Sequence, residues 1–302
     1  MKKTKKSKIL PIILALLLAV IAVAACVLFR YYPHYRKHKA PVTVDAAQSD
    51  EIKIMSYNVR CLTPLDLGKK SWYYRADLIM SDIESEAPGI IGFQEATKWQ
   101  YHYLVDCMPQ YDSVITYRDK SVASEGCPFF YNTEQFTLID KGSFWLSETP
   151  DVMSKDWGAA CYRICSYVIL TENASGKDFV VFNTHLDHVS DEARINGIKV
   201  VLDKIQQFGG LPAVIMGDLN AEVGSETYAS VTEHFLDAQL VAANAEGNVT
   251  YQGWGEAEGK RIDYFMVSMT GLQINSYDVL TETHDGVYSS DHNPIVMTAV
   301  LE

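Results

Sequence analysis

The sequence predicts an α/β protein built on mixed sheets, and two observations carry that expectation. Short apolar runs keep ending in, or starting from, Asn, Asp, Glu or His: Ile52 to Asn58, Gly89 to Glu95, Phe179 to His185, Ala213 to Asn220 and Arg261 to Phe265. Between them lie stretches whose apolar residues recur every third or fourth position, the period of an amphipathic helix. Strands alternating with helices form α/β folds. In such folds the side chains at strand ends project into a crevice while the sheet behind them stays rigid.

Taken in order, the chain opens with five lysines in residues 1–8, a basic cytoplasmic tail, followed by 21 uncharged residues, Ile9 to Phe29. That length spans a bilayer core of roughly 30 Å as a helix. The leading lysines hold the N-terminus in the cytoplasm, so the body is expected on the extracytoplasmic side of the cell membrane. Ala22-Val23-Ala24 fits a cleaved signal peptide, and Val23-Ala24-Ala25-Cys26 resembles a lipoprotein box. The apolar run continues past both to bulky basic residues, which favours an uncleaved transmembrane signal anchor over residues 9–29. Residues 30–50, with Pro33 and Pro41, read as a linker, and 51–302 as one catalytic domain.

Within that domain, Ile52 to Asn58 is the first strand. Tyr73, Ala76, Met80, Ile83 and Ala87 mark a helix stopped by Pro88-Gly89, and Ile90 to Phe93 is too short for anything but a strand. Trp99, His102, Tyr103 and Met108 predict a second helix. Aromatic and β-branched runs from Tyr111 to Leu170 predict short strands and long loops. Ile195, Ile198, Leu202 and Ile205 mark a further helix, closed by Gly209-Gly210. A short helix near 225–232 follows Asn220, then strands near 235–240, 262–268, 274–281 and 294–301.

Composition narrows the chemistry. The net charge of −12 hides an asymmetry, because residues 1–40 carry nine Lys or Arg and no acid, leaving −21 for the remainder. Such a body repels polyanions at long range and disfavours nucleic acid as a partner without excluding it. The six cysteines show no zinc spacing and read as small buried hydrophobes; a Cys161 to Cys165 or a Cys107 to Cys127 bridge is sterically conceivable.

The candidate chemical groups are Asn58, Glu95, Asn183, His185, Asp187, His188, Asp218, Asn220, Asp263, Asp291 and His292. An isolated buried charge costs several kcal/mol, so these groups must converge on a partner. Hard oxygens with scattered His and no thiolate cluster suit a Mg²⁺-like ion, with Glu95 the first-choice ligand. His292 can act as a base if a carboxylate orients its other nitrogen, and Asp263, at the start of an apolar strand, is the expected orienter. By contrast, His102, His234 and His284 read as surface residues, and Glu222, Glu226 and Glu233 as a solvated face. Trp145, Trp157 and Trp254 read as core, although Trp157 and Trp254 lie in loops able to rim a cleft.

Six segments, in order, resemble the endonuclease/exonuclease/phosphatase superfamily: Ser56-Tyr57-Asn58-Val59-Arg60, Gln94-Glu95, Asn183-Thr184-His185-Leu186-Asp187-His188, Gly217-Asp218-Leu219-Asn220, Arg261-Ile262-Asp263-Tyr264 and Ser290-Asp291-His292-Asn293-Pro294. Glu125 to Tyr131, Phe144 to Pro150 and Thr250 to Trp254 add to the likeness, which covers about 52–300 and points to a bacterial, membrane-anchored branch related to the deadenylase-like members. The resemblance implies a four-layer sandwich, two mixed β-sheets packed face to face and flanked by helices. It implies Glu95 as metal ligand with Asn58 and Asp291 beside it, Asp218 and Asn220 holding the attacking water and a phosphate oxygen, and His292 with Asp263 as a His-carboxylate dyad. It also implies His185, oriented by Glu125, as donor to the phosphoryl transition state, with Asn183, Asp187, His188 and Arg163 nearer the substrate. Whether Asp218 or His292 takes the proton stays open.

The expected function is therefore hydrolysis of a phosphoester by in-line attack of water, with Mg²⁺ (Mn²⁺ as the substitute) as cofactor. A small phosphorylated metabolite, sugar phosphate or lipid headgroup ranks first as substrate. A membrane-anchored nuclease is the runner-up, a non-enzymatic surface binding module is the alternative of another class, and a monomer is the expected state.

Overall fold

A computed structural model describes residues 9–37 and 51–302. The expected tail 1–8 and most of the expected linker, 38–50, lie outside the described residues. Helix α1 (Ile9–Lys37) contains the stretch Ile9–Cys26, long and apolar enough to cross a membrane. Its backbone stays helical past Phe29 to Lys37, so the first part of the expected linker extends the helix, with Pro33 sacrificing one backbone bond.

The body begins with β1 (Ile52–Asn58), α2 (Trp72–Glu86), β2 (Ile90–Gln94), β3 (Ala96–Thr97), α3 (Lys98–Cys107) and β4 (Tyr111–Val114). It continues with β5 (Glu125–Gly126), β6 (Phe129–Asn132), β7 (Phe136–Trp145), β8 (Ile164–Glu172), β9 (Asp178–His185) and α4 (Asp191–Ile205). Then come β10 (Ala213–Asp218), α5 (Glu226–Thr232), β11 (Phe235–Asp237), α6 (Ala238–Val241), β12 (Asn244–Glu246), β13 (Asp263–Ser268), β14 (Leu272–Val279) and β15 (Ile295–Leu301). One sheet runs β12-β14-β15-β1-β2-β6-β4 and the other β11-β13-β10-β9-β8-β7. Both are mixed: β1 is parallel to β2 but antiparallel to β15, and β10 is parallel to β9 but antiparallel to β13.

Strand alternation explains the layering. Along β1, Ile52 and Ile54 face the second sheet and meet Val181, Val214, Met216 and Phe265 in the central core. Met55 and Tyr57 face the other way, onto Ile79, Met80 and Ile83 of α2 and Tyr103 and Leu104 of α3. On the second sheet Val180, Phe182, Ile215 and Met266 pack outward against Ile198, Val201 and Leu202 of α4. The result is helix, sheet, sheet, helix, the four-layer sandwich expected. Each fully buried aliphatic or aromatic side chain contributes about 1.5–3 kcal/mol to holding the layers together.

Local details depart from the sequence reading in instructive ways. The buried face of α2 is Trp72, Arg75, Ala76, Asp77, Ile79, Met80 and Ile83, so Ala76, Met80 and Ile83 lie where the spacing puts them, whereas Tyr73 is 38% exposed; the face also includes an arginine and an aspartate that periodicity alone assigns to solvent. The expected strand at 235–240 stops at Asp237, whose side chain accepts the Gln239 N–H and starts a short helix instead. No disulfide links the cysteines among the described residues.

Candidate active site

The inner faces of the two sheets change character along their length. Reading toward one end, β1 presents Ile52, Ile54, Ser56 and Asn58; β2 presents Ile90, Gly92 and Gln94; β9 presents Phe179, Val181, Asn183 and His185; β10 presents Val214, Met216 and Asp218; and β13, running the other way, presents Val267, Phe265 and Asp263. The period of two that builds the core therefore also delivers an amide, an imidazole and two carboxylates to one mouth of the sandwich.

Between core and mouth lies a polar layer. Gln94 Nε2 donates to Asn183 Oδ1 at 2.7 Å and to Ser56 Oγ at 3.2 Å, and Asn183 Nδ2 donates to the carbonyls of Phe93 at 2.9 Å and Pro128 at 3.0 Å. Gly92 permits this approach, because a Cβ there would meet Met216 Cε at 2.1 Å and Asn183 at 3.0 Å. Asn183, expected beside the substrate, is thus fully buried one layer below the mouth, tying the sheets together.

Two backbone departures complete the mouth. Glu95 (φ 61°) and Asn220 (φ 48°) adopt the left-handed conformation just past the ends of β2 and β10, a strained state for side chains other than glycine that gathers at functional sites. Glu95 Oε2 accepts the Cys61 N–H at 2.8 Å. The Asn220 N–H donates to Asp218 Oδ1 at 2.9 Å while its Nδ2 donates to the Leu186 carbonyl at 3.1 Å.

The groups meet in a cavity of about 730 Å³ lined by, among others, Glu95, Glu125, Arg163, His185, His188, Asp218, Asn220, Asp291 and His292. His292 Nδ1 lies 2.9 Å from Asp263 Oδ2, its Nε2 3.7 Å from Asp218 Oδ2, and the ring of Tyr251 packs edge-on against it with centroids 5.0 Å apart. His185 Nε2 lies 3.4 Å from Asp218 Oδ2 on the other side. Asn58 Nδ2 bridges Asp218 Oδ2 at 3.1 Å and Glu95 Oε1 at 3.2 Å, and its Oδ1 accepts the Arg60 N–H at 3.0 Å. The expected ligand Asn58 therefore turns a donor, not an oxygen, toward the carboxylates. Asp291 Oδ2 faces Arg60 at 3.8 Å.

Crowded carboxylates shift protonation. Burial raises Asp218 to about 7, with Asp263 adding to the rise. Asp291 is also raised, by burial and by Glu95. Burial opposes charge on His292, but Asp263 and Asp218 outweigh it and lift the imidazole to about 10. His185 goes the other way, held well below its ordinary value by burial and by Arg163 and Arg118, so it stands neutral. Glu95 is pushed up by burial yet ends lower than ordinary, because the Cys61 N–H, His292 and Arg60 favour its charge. A nest of acids this repulsive suits a hard divalent cation, whose oxygen donors would come from Glu95, Asp218 and Asp291. Asp218, Asp263 and His292 also place one ligand atom each within 4.8 Å of one another.

One other expected site residue, Asp187, sits behind the wall. Asp187 is 1% exposed and accepts the N–H groups of Ala160, Cys161, Val189 and Ser190 at 3.0–3.3 Å, which fixes the turn before α4. Glu125 pairs with Arg118 at 2.7 Å rather than with His185, so the expected orientation of His185 by Glu125 is replaced by its contact with Asp218. His188 Nδ1 and Arg163 Nη2 are 3.0 Å apart. Of the loop tryptophans, neither lines this cavity: Trp254 stacks over the Arg75 guanidinium at 5.0 Å, and Trp157 borders a separate surface pocket beside α4.

The cavity also recruits Arg118, Arg194 and Lys260, which sequence reading missed, and Glu222, which it assigned to a solvated face. Each cation there has a carboxylate companion: Arg60 with Asp66, Arg118 with Glu125, Arg163 with Asp187, Arg194 with Asp191, and Lys260 with Glu222. Tyr251 is the one aromatic ring besides the histidines along this lining.

Residues 55–292 match a family model described as the Endonuclease/Exonuclease/phosphatase family. A solved endonuclease/exonuclease/phosphatase from Bacteroides vulgatus is 31% identical, with a TM-score of 0.79 over 83% of this chain and 99% of that one. A mannosyl-6-phosphatase from Bacteroides thetaiotaomicron is 30% identical, with a TM-score of 0.77 over 83% of this chain and 100% of that one. Mouse nocturnin is 23% identical over 87% of this chain and 69% of its own length.

Proposed function

This chain belongs to the endonuclease/exonuclease/phosphatase family, whose members are metal-dependent hydrolases of phosphoesters, and we propose that it cleaves a small, hydroxyl-rich phosphoester such as a sugar phosphate, using Mg²⁺. The observation that carries this reading is the convergence of Glu95, Asp218, Asp291, His185 and the His292–Asp263 dyad on one cavity from segments far apart in the chain. The likeness to a mannosyl-6-phosphatase supports a sugar phosphate. So does the wall: alternating carboxylates and cations match hydroxyl groups, while nucleobases need aromatic platforms, and four of the five cations are in short ion pairs rather than aligned as a track for a polyanion.

Glu95 and Asp291 would hold Mg²⁺, which when bound would neutralise phosphate-oxygen charge and make a water more acidic. The protein's own groups do the rest. Asp263 orients His292 and holds it as an imidazolium whose Nε2–H faces Asp218, and the Asp218 carboxylate, beside the position from which water attacks, takes the water proton. Asn220, anchored to Leu186, lines the same cavity. Neutral His185 offers one N–H to the transition-state oxygen, the type of stabilisation that gives the largest share of such rate enhancements.

In the same reading α1 is an uncleaved anchor that holds a monomeric catalytic domain, residues 51–302, outside the cell membrane, and the likeness to nocturnin supports kinship with the deadenylase-like branch. A panel assay of the full-length chain in detergent, with Mg²⁺ or with EDTA, tests the proposal. Hexose phosphates, lipid phosphoesters, DNA and RNA should separate, with EDTA-sensitive phosphate release from hexose phosphates; a chain that only binds them, or that prefers DNA or RNA, refutes it.

A further inference from the structure

Beside His185 the cavity narrows into a recess of about 10 Å³, bordered by Glu95, Arg118, Glu125, Arg163 and His185. That is room for a single oxygen atom or water and nothing larger. Its back is closed by buried Cys127 and Ile164, and a Cβ on Gly126 would already strike the Thr116 carbonyl at 2.6 Å.

The charges around it are unevenly matched. Arg118 has a carboxylate in short contact, Glu125 at 2.7 Å. Arg163, 5% exposed, has none: Asp187 is 3.6 Å from its Nε, and the Asp187 oxygens are already taken up by four backbone N–H groups. Its one hydrogen-bonding contact among the described residues is the ring of His188 at 3.0 Å, and its buried Nε has no hydrogen-bond partner, nor does that of Arg118. A buried guanidinium with unspent donors is expensive unless an anion completes it.

We infer that Arg163, with Arg118, forms an oxygen-sized subsite for a terminal phosphate oxygen, which makes the preferred substrate a phosphomonoester rather than a diester. The inference rests on the phosphoester-hydrolase reading above. A monoester has an unsubstituted, charged oxygen at the position where a diester carries a second O–C bond, and a recess with room for one oxygen accommodates the first and not the second. The carboxylates on its border do not cancel this: Glu125 is matched by Arg118, and Glu95 accepts the Cys61 N–H.

The test uses the full-length protein with Arg163→Ala, Arg163→Lys and wild type. kcat/KM is measured for p-nitrophenyl phosphate and bis-p-nitrophenyl phosphate, and binding of inorganic phosphate and of dimethyl phosphate is followed by calorimetry. Wild type should favour the monoester; Arg163→Ala should lose on the order of 10–100-fold on it while the diester changes far less, with Arg163→Lys between. Phosphate binding should weaken in parallel, and dimethyl phosphate should bind poorly throughout. Equal losses on both esters, a wild-type preference for the diester, or phosphate affinity unchanged in Arg163→Ala would overturn the subsite. Because binding is read independently of turnover, absence of any hydrolysis alongside Arg163-dependent phosphate binding would sink the hydrolase reading and leave the subsite standing.

Discussion

The Nδ1 atom of His292 lies 2.9 Å from Oδ2 of Asp263, and this leaves Nε2 directed toward Asp218 at 3.7 Å. Asp263 is 2% exposed and does not line the cavity, so its contribution passes through the imidazole. Asp263→Asn should therefore lower kcat by about 10²–10⁴-fold, the range for losing a positioned acid or base. It should also drop the His292 pKa, read by NMR of the ring protons. A variant with full kcat would refute the dyad.

Stability should depend on pH in a defined direction when metal is absent. Asp218 moves from 3.8 to about 7 and His292 from 6.5 to about 10 on folding. Both folded values exceed the unfolded ones, so the folded state holds these protons more tightly. Their stabilising effect is complete below 3.8 and 6.5 respectively, and is lost as pH rises through about 7 and then about 10. Thermal unfolding in EDTA should show Tm falling across that window, with Mg²⁺ reversing the fall because the cation replaces the protons. A Tm that climbs with pH in EDTA would contradict the arrangement.

Glu95→Gln keeps the shape of the side chain but removes a charge that the Cys61 N–H holds in place at 2.8 Å. Its Mn²⁺ affinity, followed by electron paramagnetic resonance, should fall by more than the 10–100-fold typical of losing an outer partner. Unchanged Mn²⁺ binding would move the cation elsewhere.

Arg75 is fully buried and donates to the carbonyls of Val59, Arg60, Lys70 and Ser289 at 2.7–3.3 Å. The Val59 and Arg60 carbonyls follow Asn58 and that of Ser289 precedes Asp291, and Trp254 stacks on the guanidinium from the loop that also carries Tyr251. Arg75→Met strands three of these acceptors, since Gln100 still donates to the Arg60 carbonyl, and should cost about 3–5 kcal/mol in urea unfolding. A loss below 1 kcal/mol, within the range of an ordinary surface change, would mean the carbonyls find other donors.

Gly217 has φ 131°, and a Cβ there would lie 2.0 Å from the Thr184 carbonyl. Gly217→Ala should destabilise by more than the roughly 1–3 kcal/mol of a strained backbone alone, since neither the parallel strand nor Asp218 beside it can yield. Circular dichroism during heating would detect the effect, and a wild-type Tm would refute it.

Much of this was readable in advance because one rule sets both fold and site. The alternation that buries Ile54, Val181 and Met216 also aims Asn58, His185 and Asp218, so a polar residue at the end of an apolar strand could be recognised as a candidate. The rule gives the face but not the depth, which is why Asn183, on the correct face, proved to be two residues too deep. Pairings between loops were not readable either: Arg118 claims Glu125 through contacts with no local spacing. Arg75 was invisible because helical periodicity sends charges to solvent, and only the tertiary fold supplies the carbonyls that keep it inside.

The polar layer of Ser56, Gln94 and Asn183 works as a seal between a wet compartment and a dry one. Loading of an ion, its removal or the exchange of one leaving group for another changes the charge above this layer while the hydrocarbon packing below it is kept. A chelated molecule should thus be silent yet intact, able to regain activity as fast as ions return, and the loops over the mouth are free to change their cargo without renegotiating the fold beneath.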